Sequence, residues 1–210
     1  MKIIALYSIF LVLLNCTNSS QDNEQIVQNK KSHNKAIKTN EAEAKTTKED
    51  FIDFHKGFTN LLKEKNIEEI NKHIHQDYGL WVIESPGAMP LMRKFYTLNE
   101  YKTFSNKQPI QDLPINKIID PLKFETLPKI VCEKTVYNKQ GFFADSTNLL
   151  LQSQVWNYAG LNDKQIQEIE MLSNTINFTV INTSNYTYYY SLIDQKWYLT
   201  FLNLSTPCDA

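Results

Sequence analysis

Residues 176–204 read INFTVINTSNYTYYYSLIDQKWYLTFLNL, and this stretch decides the fold. Apolar and aromatic residues take every second position in its first two segments, which is the period of a half-buried β-strand. These residues are Ile176, Phe178 and Val180, then Tyr186, Tyr188, Tyr190 and Leu192. A third segment, from Trp197 to Leu204, follows a turn at Asp194-Gln195-Lys196. Because the connections are too short for a crossover, the stretch predicts a three-stranded antiparallel meander.

Two upstream stretches carry apolar residues at helical spacing. In the first, Thr46 and Glu49 are spaced as a capping box, which predicts a helix that begins near Lys48. Its aromatic and aliphatic face consists of Phe51, Phe54, Phe58 and Leu61. The second stretch predicts a helix over Asn162 to Leu172, with Asn162 or Asp163 as its cap.

Shorter elements are expected between these two helices. Strands are predicted over Leu80 to Ile83 and over Ile130 to Tyr137, and the second leads through a hairpin loop into Phe142-Phe143. The stretch from Ser146 to Tyr158 favours a helix. Residues 106–128 include four prolines and predict a loop with little regular structure.

The order of these elements predicts an α+β domain. N-terminal helices pack on a mainly antiparallel, curved sheet, which ends in the C-terminal meander. A pattern in which the last strand opens on Lys196-Trp197-Tyr198 resembles the nuclear-transport-factor-2-like and cystatin-like cone. The resemblance covers residues 48–205 and implies a cone-like sheet with an open end.

The composition excludes several broad classes of protein. The chain has 22 Lys and Arg against 23 Asp and Glu, which gives a formal charge of −1. Nucleic-acid binding needs a basic surface, so no nucleic-acid partner is predicted. A mean hydropathy of −0.41 excludes a multi-span membrane protein. The 42% of hydrophobic residues excludes a fully disordered chain.

The N-terminus has the pattern of a bacterial export signal. Lys2 precedes an apolar run from Ile3 to Leu14, which is long enough for a signal peptide and too short to span a membrane. The run ends in Leu13-Leu14-Asn15-Cys16, which resembles the lipobox of bacterial lipoproteins. In that family the signal is cut before the cysteine, so the resemblance implies lipidation of Cys16. The alternative is an ordinary cleaved signal in which Cys16 carries no lipid.

Residues 17–46 separate this cysteine from the rest of the chain. They include no aromatic residue and mix both charges, so the sequence predicts a flexible tether. The predicted organisation is a signal peptide at 1–15, a lipidated cysteine with its tether at 16–46, and a single α+β domain at 47–210. The expected location is the outer membrane of the cell envelope, where several acyl chains hold the protein on the bilayer.

Two further segments resemble uncharacterised lipoproteins of Bacteroidetes, especially of flavobacteria. They are YGLWVIESPGA at residues 78–88, and WYLT at residues 197–200 with Cys208 near the end of the chain. The abundance of Lys, Asn and Ile beside a solitary Arg93 fits an AT-rich genome. This resemblance implies no activity.

The chain has three cysteines, which is an odd number. Once Cys16 is assigned to the lipid, Cys132 and Cys208 remain as a pair in a compartment that permits disulfides. They form either a disulfide or two reduced thiols, because the spacing of the two residues does not show their geometry.

No metal and no cofactor are predicted. His73, His75 and Asp77 form the densest group of metal-ligating residue types. If this segment is extended, both histidines face one side, and if it is helical, they point about 200° apart; the helix end expected here favours the second, and no further ligands follow at zinc spacing. Sequence patterns for phosphate loops, dinucleotide binding, nucleophile elbows and zinc proteases are missing from the chain.

The candidate ligand-binding residues are Trp81, Arg93, Tyr188 and Tyr190. The two tyrosines share one face of a predicted strand. They either pack under the helices or line the open end of a cone, where they would stack against a glycan or an apolar ligand. Arg93 is the candidate partner for an anionic group.

Two classes of function remain open. The first is a non-catalytic envelope lipoprotein whose domain binds a small ligand or an envelope protein, and an immunity or inhibitor lipoprotein is a special case of it. The second is a small hydrolase or isomerase that uses a cone pocket, with His75, Asp77 or Glu84 as acid or base.

Overall fold

An α+β domain of four helices and seven strands makes up residues 47–208, the part of the chain that the computed structural model describes. The helices are α1 (residues 47–64), α2 (Ile67–Asn71), α3 (Leu149–Ser153) and α4 (Asp163–Ser173). The strands are β1 (Leu80–Glu84), β2 (Leu91–Phe95), β3 (Leu122–Phe124), β4 (Phe142–Asp145), β5 (Ile176–Asn182), β6 (Thr187–Ile193) and β7 (Lys196–Asn203). Cys16, the predicted tether and Thr46 lie outside the described residues.

All seven strands belong to one open, mixed sheet. Its strand order is β2-β1-β7-β6-β5-β4-β3. Neighbouring strands are antiparallel, except that β1 pairs with β7 and β3 pairs with β4 in parallel. The predicted α+β class is confirmed, with an N-terminal helix before the sheet and a meander at the C-terminus.

The meander forms because the alternation of apolar residues along its strands and the short turns between them both favour antiparallel pairing. Phe178 lies opposite Tyr190, and Leu192 lies opposite Trp197. The turn between β6 and β7 consists of two residues, Asp194 and Gln195, whose φ angles are 48° and 61°. Two positive φ angles in succession are typical of a type I′ turn, which matches the twist of the strands that it joins.

Helix α1 covers one face of the sheet with aromatic side chains. Phe51 and Phe58 are both buried, because residues seven apart are two turns apart and lie on the same side of a helix. The Phe51 ring lies 4.5 Å from Phe178 and 4.8 Å from Trp197, measured between ring centroids. Tyr188 and Tyr190 project into the same core. The helical spacing of these phenylalanines and the strand alternation of these tyrosines therefore produce one shared core.

The opposite face of the sheet is also buried. Trp81, Tyr189 and Phe201 pack there against Trp156, and against Ile169 of α4. The Asn162 side chain accepts a hydrogen bond from the Gln165 backbone, and the Gln165 side chain accepts one from the Asn162 backbone. This capping box confirms the predicted start of α4. The sheet thus has helices on both faces.

Two sequence-based predictions of secondary structure are wrong, and two strands are not predicted. Residues 130–137 form a loop with one isolated bridge between Ile130 and Tyr137, because the backbone turns at Cys132, where φ is 51°. The prediction for 106–128 omits β3, and β2 is not predicted at all. The helix expected over residues 146–158 breaks at Gln154, where φ is 47°, into α3 and a 3-10 turn at Val155–Tyr158.

His55 of α1 is buried in the core beneath the helix. Its ring lies 5.0 Å from that of Phe142 and 5.4 Å from that of Phe51. Its Nδ1 is 3.2 Å from the Thr59 hydroxyl. Burial lowers the pKa of His55 to about 3, although the charge of Asp120 acts in the opposite direction.

Acid is expected to destabilise the domain through His55. Below the unfolded pKa of about 6.5, the unfolded chain binds a proton that the native chain does not. The stability that neutral His55 contributes is therefore complete above pH 6.5 and is lost as the pH falls towards 3. Lowering the pH from 7 to 5 costs about 2 kcal/mol through this residue alone. Urea unfolding of wild type and His55→Gln at both pH values measures the effect, and an equal loss in both proteins contradicts it.

Candidate functional site

The predicted ligand-binding residues do not form one site. Tyr188 and Tyr190 are buried under α1, so their side chains contribute to the core and do not line an open cone end. Trp81 is buried on the opposite face of the sheet. Trp81 and Arg93 lie on adjacent strands, but Arg93 pairs with Val82, so their side chains point to opposite faces.

Arg93 forms an ion pair within the domain. Its Nη2 donates to Glu84 Oε2 at 2.5 Å and to the Lys102 carbonyl at 2.7 Å. The guanidinium also lies 5.6 Å from the centre of the Tyr101 ring. Glu84 accepts a second hydrogen bond, of 2.9 Å, from the Phe104 backbone N–H. Both charges are therefore engaged in holding the 101–104 segment against the sheet.

The other predicted residues also lie apart. The Sγ atoms of Cys132 and Cys208 are 2.12 Å apart, within disulfide distance. His75 Nδ1 accepts from the Asp77 backbone N–H at 3.1 Å, and its ring lies 4.6 Å from Tyr78. His73 packs 5.2 Å from the Phe54 ring, and desolvation lowers its pKa. Within residues 47–208, no three His, Cys, Asp or Glu side chains group as metal ligands.

One cavity combines exposed aromatic rings with buried polar atoms, and we name it the Trp81 cavity. Its volume is about 470 Å³. Its lining residues are Asp77, Tyr78, Trp81, Lys94, Tyr96, Glu168, Met171, Leu172, Thr175 and Ile193. They come from β1 and the segment before it, from the end of β2, from α4 and its C-terminal turn, and from the end of β6. A ligand in this cavity would contact four parts of the fold at once.

The pairing of β1 with β2 builds the aromatic side of this cavity. Trp81 lies directly opposite Lys94, so both side chains project to the same face, and Tyr96 follows two residues later on that face. Gly79 has a φ of 67°, and a Cβ placed there would lie 2.9 Å from the Phe95 carbonyl oxygen. The chain therefore needs glycine where Tyr78 enters the cavity beside the end of β2.

The side chains of the Trp81 cavity differ sharply in exposure. Tyr78 and Tyr96 are 48% and 53% exposed, and Met171 is 67% exposed. Trp81 is 1% exposed, and its Nε1 finds no hydrogen-bond acceptor among the residues described. A buried donor without an acceptor is rare in folded proteins and is energetically costly. Other buried polar atoms of the described domain also lack a partner, Trp156 Nε1 among them, but Trp81 lies in a cavity with half-exposed aromatic rings, which makes this cavity the candidate site.

An ion pair crosses the cavity. Lys94 Nζ donates to Glu168 Oε2 at 2.5 Å, and this hydrogen bond lowers the pKa of the Glu168 carboxyl. The same ammonium lies 5.3 Å from the centre of the Trp81 ring and 5.9 Å from that of Tyr96. Lys94 thus occupies the cation position over the aromatic rings, and its charge is compensated by α4.

A larger cavity, of about 690 Å³, lies beside the segments that Cys132 and Cys208 bring together. Ile130 and Pro207 line it, with Tyr189 and Asn203. The Tyr189 hydroxyl is hydrogen-bonded to Asn203, and burial raises its pKa. In contrast to Trp81, none of the described residues that line this cavity has a buried polar side-chain atom without a hydrogen-bond partner.

The sequence identified only Trp81 among the residues of this cavity as a ligand contact. Tyr78 precedes β1 and Tyr96 follows β2. Because β2 could not be predicted, the sequence did not indicate that these two tyrosines lie close together. Met171 gave a usable signal: it is apolar but lies off the face formed by Ile169 and Leu172. A single exposed methionine is ordinary, but Met171 indicates an interaction surface because it lines the same cavity as the exposed Tyr78 and Tyr96.

Comparisons with family models, curated proteins and solved structures find no match to this chain. The resemblances to envelope lipoproteins and to the cone fold stay predictions. No helix within residues 47–208 has the length and apolar character needed to cross a bilayer.

Proposed function

We propose that the protein is a lipid-anchored lipoprotein of the bacterial cell envelope, and that its domain binds a ligand in the Trp81 cavity without catalysis. One observation carries the binding half of this proposal. The cavity combines two half-exposed tyrosines with a buried Trp81 N–H that has no acceptor within residues 47–208. Ligand sites are typically concave and largely apolar, with a few polar atoms that fix orientation.

The anchor half of the proposal rests on the N-terminal sequence. Lys2, the apolar run from Ile3 to Leu14 and the lipobox ending at Cys16 support export and lipidation. The polar stretch at 17–46 supports a tether that connects the lipid to the domain. If the ligand is a segment of another envelope protein, the proposed protein is an immunity or inhibitor lipoprotein.

The contacts of the candidate acid and base residues give less support to the enzyme alternative. Glu84 is paired with Arg93 and accepts from the Phe104 backbone, and His75 Nδ1 accepts from the Asp77 backbone. Of the three candidates, Asp77 alone lines the Trp81 cavity. General acid–base catalysis needs the acid or base within hydrogen-bond reach of the proton that it transfers, and Glu84 and His75 do not line this cavity.

Cys16→Ala is expected to abolish lipid attachment. Cells fed an alkyne analogue of palmitate should label the wild-type chain and the control variant Ser20→Ala, which changes a tether residue only. The Cys16→Ala chain should carry no label. Undiminished labelling of Cys16→Ala overturns the anchor.

The binding half is tested with the matched variants Tyr78→Ala/Tyr96→Ala and Tyr158→Ala. Tyr158 is another exposed tyrosine, and it lies outside the Trp81 cavity. Each purified domain is incubated with an envelope extract, and the retained compounds are identified by native mass spectrometry. A compound retained by wild type and Tyr158→Ala but not by the double variant is the expected result. Equal retention by all three proteins contradicts binding in this cavity.

A further inference from the structure

We propose that the Trp81 cavity binds a neutral sugar ring, either of a free saccharide or of a glycan on a larger molecule. This inference rests on the proposed binding function and specifies its ligand class. A sugar ring has an apolar C–H face together with hydroxyl groups at its edge, and each hydroxyl both donates and accepts hydrogen bonds. The size, charge and polar atoms of the cavity each favour that chemistry.

The size and the aromatic surface fit one or two sugar rings. The volume of about 470 Å³ lies within the range of small-molecule sites. Tyr78 and Tyr96 are about half exposed, so each offers ring surface to a ligand before one binds. Tyrosine is suited to this role because its ring packs on an apolar face while its hydroxyl stays in water.

The charges of the cavity disfavour ionic ligands. A ligand cation over the aromatic rings would compete with the Lys94 ammonium, which already lies 5.3 Å from the centre of the Trp81 ring. A ligand anion would meet a lysine that is already bonded to Glu168, with the Asp77 carboxylate as an additional negative charge. A neutral ligand avoids both conflicts.

The polar atoms of the cavity distinguish a sugar from an apolar ligand. Glu168 accepts from Lys94, but an apolar molecule would cover the Asp77 carboxylate and the remaining acceptor sites of Glu168 without giving them hydrogen bonds, which is energetically costly. Sugar hydroxyls can donate to both carboxylates. A hydroxyl oxygen can also accept from Trp81 Nε1, which has no acceptor within the described domain. Lys94 covers the indole, so its flexible side chain must shift when a ligand reaches that atom.

Calorimetric titration with neutral trisaccharides tests this inference. The probes are maltotriose, cellotriose, mannotriose and the trimer of N-acetylglucosamine, each free in solution and each attached to a carrier surface. At least one should bind wild type and the control Tyr158→Ala equally. Its affinity should fall about tenfold or more in Tyr78→Ala/Tyr96→Ala, because two stacking rings are removed.

A second variant tests the indole N–H separately. Trp81→Phe keeps an aromatic ring but removes the donor, and it should weaken binding of the same trisaccharide about tenfold. Circular dichroism and thermal melting confirm that each variant is folded. The tyrosine variant keeps the test decisive if Trp81→Phe does not fold, because Tyr78 and Tyr96 are exposed.

Two results overturn the inference. One is that no trisaccharide binds wild type more tightly than about 10 mM, and the other is that binding is unchanged in Tyr78→Ala/Tyr96→Ala. If the envelope extract yields a peptide, a lipid or a charged compound whose retention needs both tyrosines, the sugar class is wrong and the binding function stands. If retention depends on neither tyrosine and no sugar binds, both proposals fail.

Discussion

Replacing both Cys132 and Cys208 by serine is expected to lower the free energy of unfolding by about 4 kcal/mol. The two residues are 76 positions apart, so a bond between them closes a long loop and restricts the unfolded chain. Both cysteines are exposed, so serine at these positions leaves no void in the core. The loss therefore measures the cross-link and not the packing of the side chains.

Urea unfolding followed by tryptophan fluorescence measures this effect. Wild type in a reducing agent should unfold at the same urea concentration as the double serine variant, and the reducing agent should not change the variant further. Thiol labelling of denatured, non-reduced wild type provides an independent readout. Two free thiols in that experiment, or equal midpoints for wild type and variant, contradict the disulfide.

Replacing Arg93 by methionine is expected to cost about 3 kcal/mol of folding stability. Glu84 is 11% exposed in its side chain, and its closest cationic contact is the Arg93 guanidinium at 2.5 Å. Methionine occupies a similar length of space but leaves the Glu84 carboxylate without its partner. An uncompensated charge in a mostly buried position accounts for most of the predicted loss.

The companion change Glu84→Gln separates the lost charge pair from lost packing. Glutamine keeps an oxygen that can accept from the Phe104 backbone N–H, and it carries no charge. Glu84→Gln/Arg93→Met should therefore recover most of the stability that Arg93→Met loses. Lys72→Met is the control, because Lys72 and Glu69 form an exposed pair that contributes less than about 1 kcal/mol. Equal losses in Arg93→Met and Lys72→Met contradict the prediction.

The parts of the fold that follow from local sequence could be predicted. The meander depends on a two-residue alternation and a short turn at Asp194 and Gln195, and α4 depends on the cap at Asn162, so neighbouring residues specify both. Strand β2 reads LMRKF and lies at the edge of the sheet. Arg93 and Lys94 interrupt the apolar pattern by which a strand is predicted. In the structure each pairs with a residue distant in sequence, Arg93 with Glu84 and Lys94 with Glu168.

The candidate site could not be predicted because no single segment contains it. Tyr78, Tyr96 and Met171 become neighbours only when β1 pairs with β2 and α4 packs over them. Tyr188 and Tyr190 stood out in the sequence, but α1 covers their face of the sheet. In this chain, the densest aromatic pattern forms the core, and the exposed rings of the cavity come from isolated positions.

The parallel pairing of β1 with β7 determines when the domain can finish folding. Trp81 lies opposite Phe201, and more than half of the chain's residues lie between them. β1 is buried along its whole length in the native domain. Because a chain is synthesised from its N-terminus, β1 is exposed long before its neighbour β7 has been made. The sheet is complete only after the last strand has been synthesised, so folding is a late, non-local event that leaves β1 unprotected during synthesis.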